Sequence, residues 1–178
     1  GNYFSHGKEK MALPPFSARL RHAVGGLLKL MPESTAVFCP NANSYRRLRP
    51  DSFAPVEPNW GVNHRVVSVR IPESDEKNLR LEHRVAGADA NPYLVMATVA
   101  ASVHHGMRYR VDPGEMVEQG AEIVPELKIP NRWDAALDLF EDSQVLPEYL
   151  GEDYCRYYTM VRRAESRKFH DHVSQLDF

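Results

Sequence analysis

Leu79-Arg80-Leu81-Glu82-His83-Arg84-Val85 alternates along its whole length. Side chains of a strand point to opposite faces with a period of two, so Leu79, Leu81, His83 and Val85 share one face. The other face carries Arg80, Glu82 and Arg84, a carboxylate between two guanidinium groups. Two readings fit this pattern. A cross-strand ionic ladder would be worth only a few tenths of a kcal/mol per pair. A site would use the carboxylate to hold a cation and the arginines to hold the anion that accompanies it. The alternation alone does not choose between them.

The flanking segments extend the same logic. Upstream, Arg65-Val66-Val67-Ser68-Val69-Arg70-Ile71 runs to Pro72 and reads as a second strand, with Val67, Val69 and Ile71 on one face and Val66, Ser68 and Arg70 on the other. Downstream, Asn91 can cap a helix that has Pro92 at its first position. Tyr93 to His105 is almost wholly apolar, which predicts a helix central to the fold. His104 and His105 at its end suit the negative helix terminus better than a metal.

Further out, Ser17 can cap a helix with Leu20, Val24, Leu27, Leu28 and Met31 at helical spacing. Gly25-Gly26 within it predicts a close backbone contact, and Pro32 is expected to stop it. A short strand, Thr35 to Cys39, is expected next, then a turn-rich stretch into Arg46-Arg47-Leu48-Arg49-Pro50. Residues 51–63 hold two prolines and a glycine without periodicity and read as a long loop of the kind that carries binding segments. Residues 1–15 read as a loop. Toward the other end, Trp133, Ala136, Leu137 and Phe140 form the stripe of a helix near Asn131 to Asp142. An amphipathic terminal helix is expected over about Glu152 to Leu176, with Tyr154, Tyr157, Tyr158, Val161, Phe169 and Val173 among its charges. The expected class is α+β: an antiparallel sheet backed by the helices at 19–31 and 93–105.

Composition bounds the function. The chain has 178 residues, 43% hydrophobic and 26% charged, enough for one ordinary core. The net charge of −2 hides a partition: residues 111–153 carry 12 acidic side chains against 2 basic ones, whereas seven arginines fall between Arg46 and Arg84. Arginine at that density suits planar, bidentate recognition of carboxylate or phosphate, with surface salt bridges as the equal alternative. The negative balance and the lack of a stacking motif argue against a nucleic-acid partner. No apolar run is long enough to span a membrane. Cys39 and Cys155 form no disulfide framework or metal-ligand spacing, so a cytoplasmic setting is expected.

Several motifs in collinear order resemble the ATP-binding catalytic domain of glutamine synthetases: Asn43-Ser44-Tyr45-Arg46-Arg47-Leu48, Ala54-Pro55, Trp60-Gly61-Val62-Asn63-His64-Arg65, Arg70-Ile71-Pro72, Arg80-Leu81-Glu82-His83-Arg84 and Gly87-Ala88-Asp89-Ala90-Asn91-Pro92-Tyr93-Leu94. The particular forms Phe38-Cys39-Pro40-Asn41 and Leu81 to Ala90 are most similar to the γ-glutamylpolyamine (γ-glutamylputrescine) synthetase branch. The resemblance implies a carbon–nitrogen ligase that uses ATP to make γ-glutamyl phosphate, which an amine then attacks. It implies Glu82 as a ligand for magnesium or manganese, and Arg70 and Lys77 as ATP contacts. Arg65 would reach both nucleotide phosphate and the reacting glutamate, Arg47 and Arg84 would hold the glutamate carboxylate, and Arg80 would assist phosphate. Arg65 and Arg84 are the expected catalytic pair.

Two departures qualify the resemblance. Where glutamine synthetases carry a glutamate that collects ammonium, shortly before Ala-Pro, this chain has Phe53. A phenyl ring cannot deprotonate ammonium, but it can wall a larger amine or stack on a cation. The expectation is therefore γ-glutamylation of a polyamine or other primary amine. Ordinary glutamine synthesis with ammonia and a non-catalytic assembly or nucleotide-binding module are the alternatives. The family's other metal ligands and its N-terminal domain have no counterpart in the sequence, so residues 1–178 are expected to be the C-terminal portion of a catalytic domain, inactive alone. Residues 1–110 would supply sheet, core helices and ligand face, and 111–178 an acidic connection and terminal helices. The complete protein is expected to form a homo-oligomeric ring. The tyrosine segment that carries adenylylation in some members has no match around Gly120 to Pro130.

Overall fold

The structure, a computed structural model, describes residues 2–4, 16–50, 52–118, 121 and 128–171. Most of the expected 1–15 loop, much of the segment around Gly120 to Pro130, and the end of the terminal helix with Val173 lie outside the described residues.

The first helix, α1, spans Ala18–Phe38, and the Ser17 hydroxyl oxygen caps it by accepting from the Leu20 amide. It runs through Pro32, so the expected stop there and the expected strand Thr35 to Cys39 are both corrected. A proline inside a helix costs about 3 kcal/mol. Burying a Val or Phe side chain returns about 1.5–3 kcal/mol each, and Ala36, Val37 and Phe38 beyond the proline are all buried in the core. Core packing outweighs the local break. The Thr35 hydroxyl also donates to the Met31 carbonyl at 2.9 Å, a bond to its own helix four residues back.

A 3-10 turn, Ala42–Arg47, follows, capped by Asn41. Three short strands then form a sheet: β1 Trp60–Val62, β2 Val69–Ile71 and β3 Glu82–His83, in that spatial order. β2 and β3 are antiparallel, with Arg70 opposite Glu82. β1 and β2 are parallel, with Trp60 opposite Val69, so the sheet is mixed rather than uniformly antiparallel. β1 corrects the expected loop over 51–63 at its end, and β2 and β3 are shorter than the alternations at 65–71 and 79–85 predict. The expected burial holds for Val67, Val69, Ile71, Leu79 and Val85, whereas Leu81 and His83 are only half-buried and Ser68, expected on the opposite face, is fully buried.

Helix α2, Pro92–Tyr109, is capped as expected: Asn91 accepts from the amides of Tyr93 and Leu94. It extends past His105 and packs on α1 at very short range. A Cβ on Gly26 would stand 2.1 Å from the Ser102 carbonyl oxygen and 2.6 Å from Gly106 Cα, which is why glycine occupies both sides of the crossing. The apolar character of α2 does not make it fully central, since Tyr93 is 83% and Met96 67% exposed. His104 accepts from or donates to the Tyr149 hydroxyl at 3.0 Å.

Helix α3, Trp133–Glu141, buries its predicted stripe of Trp133, Ala136, Leu137 and Phe140. A short α4, Leu146–Leu150, leads into α5, Glu152–His170. Tyr158 on α5 packs against Phe140 and donates to the Ala36 carbonyl at 2.9 Å, closing the helical layer over the end of α1. Tyr157, Val161 and Phe169, expected within the amphipathic pattern, face outward.

Candidate active site

The arginine and glutamate side chains on the even face of the 79–85 segment converge with those of β2. Antiparallel pairing sets Arg70 opposite Glu82, and Arg70 Nη1 lies 3.1 Å from Glu82 Oε2. Arg80 Nη2 approaches the other oxygen, Oε1, at 3.5 Å. The carboxylate therefore sits between two guanidinium groups, one on β2 and one just before β3. Its side chain and that of Arg70 are about one-third exposed, so the pairs are screened and hold geometry more than they stabilise the fold.

Arg84 ties this cluster to Arg65. Its guanidinium donates to the Arg65 and Val67 carbonyls. Burial and the nearby Arg70 pull the Arg84 pKa below its ordinary value, with Arg65 acting the same way and Glu82 opposing. Three guanidinium groups and one carboxylate thus act on the same region. The Arg65 side chain is exposed and makes no ion pair among the described residues, so it can turn toward an anion.

Arg47 is half-buried. It donates to the Val85 carbonyl and lies 3.2 Å from Cys39 Sγ, which makes it a brace between the 3-10 turn, the end of α1 and the end of β3. The Nε atoms of Arg47 and Arg70 are buried and have no hydrogen-bond partner among the described residues. Lys77 stands on the exposed turn before β3, where its carbonyl accepts from Asn2. Phe53 projects from its loop and is 83% exposed, so it is not a hydrophobe packed under the loop.

Three positioning residues were not assigned from the sequence. Asn63 adopts a left-handed backbone, φ 49°, that asparagine tolerates. Its side chain accepts from the Glu73 amide at 2.9 Å and from Arg70 at 3.5 Å, and donates to Glu73 Oε2 at 2.7 Å. Asp89 accepts from Ser44 Oγ at 2.5 Å and Asn41 Nδ2 at 2.8 Å. Partial burial would raise its pKa, but these hydrogen bonds and Arg47 hold it below the ordinary carboxylate range. The asparagine at a turn and the Asp within Gly87 to Ala90 were the available signals. His83 packs on Phe38 and accepts from the Ala86 amide; burial, then Arg47, push its pKa down to about 4, so it is neutral near pH 7. Burial raises Cys39 to about 11 despite Arg47, which keeps it a thiol.

The cluster suits an anion: guanidinium donors and positive potential surround an accessible face. It does not by itself suit a divalent metal. Glu82 offers hard oxygen of the right type, but both oxygens are engaged by arginines. No group of three or more His, Cys, Asp or Glu among the described residues could hold an ion. No described helix is long and apolar enough to cross a membrane.

An α+β domain that presents a carboxylate framed by guanidinium groups belongs with domains that handle phosphate and carboxylate. The chain belongs to the glutamine synthetase family, whose catalytic domain it matches over residues 1–178. It is 40% identical over 161 residues to the γ-glutamylputrescine synthetase PuuA of Escherichia coli, covering 90% of this chain and 34% of that protein. It is 31% identical over 150 residues to the γ-glutamylethanolamide synthetase GlnA4 of Streptomyces coelicolor, covering 84% and 32%. A glutamine synthetase of Pyrococcus furiosus is 35% identical over 141 residues, covering 75% and 32%. Ligand-free GmaS superposes with a TM-score of 0.76 at 27% identity, covering 91% of this chain and 38% of that one. The chain thus spans about a third of the length of the relatives it matches.

Proposed function

We infer that this chain is the C-terminal portion of the catalytic domain of an ATP-dependent glutamate–amine ligase. The observation that carries the reading is the Glu82 carboxylate held between Arg70 and Arg80, with Arg84 tied to Arg65 beside it. In the reaction, a γ-carboxylate oxygen of glutamate takes the terminal phosphoryl group of ATP, and ADP leaves. The amine nitrogen then attacks the acyl carbon, phosphate leaves with the C–O bond pair, and the nitrogen gives up a proton.

Negative charge develops on the transferring group and on the departing phosphate, and preorganised guanidinium groups stabilise it there. Arg65 and Arg84 are the proposed catalytic pair; Arg65, Arg70, Arg80 and Lys77 are the proposed phosphate contacts, and Arg47, Arg65 and Arg84 those of glutamate. Glu82 can contribute one oxygen ligand to magnesium or manganese, which would need further ligands from outside the described residues. The same reading includes a homo-oligomeric complete protein. Exposed Tyr157, Met160 and Val161, clustered at helical spacing on α5, are apolar surface of the type a second copy covers. The two unpaired cysteines agree with a cytoplasmic setting.

The acceptor is a primary amine larger than ammonia. Phe53 supports this, because an exposed ring at the ammonium-collecting position can line a carbon chain but cannot take a proton. Coupled ADP release by the complete protein, compared across putrescine, other primary amines and ammonium, tests it. Higher kcat/KM with a primary amine is expected; ammonium as the best substrate would reject it.

A further inference from the structure

The geometry points to the cavity beneath the Phe53 loop as the subsite for the far, positively charged end of a diamine, with Glu57 as its recognition carboxylate. This rests on the amine-ligase reading above.

The cavity has a volume of about 90 Å³. Pro50, Ala54, Pro55 and Val66 wall it, and Glu57 and Asn59 supply polar groups. Phe53, between two residues of the rim, does not fill it. A cavity of about 150 Å³ takes the six carbons of benzene, so this one takes about three to four non-hydrogen atoms by the same scale. That suits a short methylene chain and excludes a nucleotide base.

Glu57 gives the cavity its sign. Its side chain is 16% exposed. Asn59 Nδ2 donates to Oε1 at 3.1 Å, and the Asn59 amide is itself fixed because its Oδ1 accepts from the Ser68 amide at 2.9 Å. The counter-charge is loose: Lys128 Nζ stands 3.8 Å from Oε2 on a side chain that is 58% exposed. A largely desolvated carboxylate beside apolar walls selects a cation on an apolar stem, as an alkylammonium is.

The position fits the reaction. Ser52 on the rim donates to the Arg47 carbonyl at 2.5 Å, and Val66 on the opposite wall follows Arg65 in the chain. Ser68 donates to the Glu57 carbonyl. The cavity therefore lies between the segments that carry Arg47 and Arg65. An amine reacting near Arg65 can run its carbon chain under the Phe53 loop to Glu57. A monoamine or an amino alcohol offers no second cation, and ammonium offers neither chain nor cation.

The test uses the complete protein with 1,4-diaminobutane, 1-aminobutane and ammonium, by amine-dependent ADP release and by equilibrium dialysis of labelled 1,4-diaminobutane. The parent is expected to prefer the diamine to 1-aminobutane, and Glu57→Gln to lower that preference about tenfold or more, chiefly through KM. Ala54→Leu, which fills the cavity and keeps the carboxylate, is expected to lower activity with both carbon-chain amines relative to ammonium. No diamine preference in the parent, or an unchanged preference in Glu57→Gln, overturns the subsite. If the protein turns over no amine, the ligase reading fails and dialysis decides: diamine retained by the parent and lost in Glu57→Gln supports the subsite, and no retention overturns it.

Discussion

At the scale of single residues, the site is held by groups whose protonation is set by burial. His83 is the clearest case. Its imidazole packs on Phe38, and burial, with the positive charge of Arg47 adding to it, pushes its pKa down to about 4, against about 6.5 when unfolded. Because the folded value is the lower one, protonation favours the unfolded chain. The contribution of neutral His83 is complete above about pH 6.5 and is lost as pH falls toward 4. Urea unfolding between pH 7 and pH 4 is expected to show a falling midpoint over that window. His83→Gln, which keeps an acceptor for the Ala86 amide without a titrating ring, is expected to flatten the fall. An identical pH slope in the variant would assign the fall to other groups. The ring lies one residue from Glu82 and Arg84, so the same substitution reports on how firmly β3 is seated.

At the scale of elements, two contacts decide where the ligand-facing side chains stand. The first is the α1–α2 crossing. Gly26→Ala sets a methyl group against the Ser102 carbonyl and Gly106 Cα, both backbone, so the helices must separate. A loss of at least about 1–3 kcal/mol is expected, read as a lower midpoint in chemical denaturation. The second is the Asp89 junction, which pins the Asn41-capped turn carrying Arg47 to the loop between β3 and α2. Asp89→Ala removes two hydrogen bonds to an ionised acceptor and is expected to cost about 1–3 kcal/mol. Asp89 is ionised above the ordinary carboxylate range, so this difference between parent and variant should persist at neutral pH. It should shrink only in acid, as pH falls through its lowered pKa. Local signals made some elements legible before the fold was known. Asn91-Pro92 marked the start of α2, and Trp133, Ala136, Leu137 and Phe140 marked the buried side of α3. Pro32 misled because its local cost is exceeded by burial of Val37 and Phe38, which depends on partners far away in the chain. The parallel pairing of β1 with β2 was illegible for the same reason, since alternation fixes which side chains share a face but not the direction of the neighbouring strand. At the site, alternation sets Arg80, Glu82 and Arg84 on one face of their segment, and strand pairing brings Arg70 opposite Glu82. The bracing of Val85 by Arg47 arises from the course of the chain and has no local pattern.

At the scale of the whole molecule, the near-zero net charge does not make the ligand face neutral. The acidic segment spends part of its charge locally: Arg163 of α5 bridges Asp138 at 2.7 Å and Glu141 at 2.6 Å, and Arg21 pairs with Asp112 at 3.0 Å. Within the site, Arg70 and Arg80 contact the Glu82 carboxylate, and Arg84, acted on by Arg65 and Arg70, adds further positive charge. The positive excess there should bind polyphosphate even without the rest of a catalytic centre, more weakly as salt rises. Fluorescence anisotropy with a labelled ATP analogue measures this on the 178-residue chain. Arg65→Ala is expected to weaken binding about fivefold or more, as loss of a charge-assisted contact would. Arg163→Ala, which removes the same formal charge from a distant ion pair, is expected to change it little. Equal losses in the two variants would reduce the effect to net charge and remove the case for a formed phosphate surface. The same preparation, given ATP, glutamate and putrescine, is expected to release no γ-glutamyl amide, because among the described residues no group of three or more His, Cys, Asp or Glu can hold a metal ion and Glu82 is already shared by two arginines. Product formation by the chain alone would show that its own residues suffice.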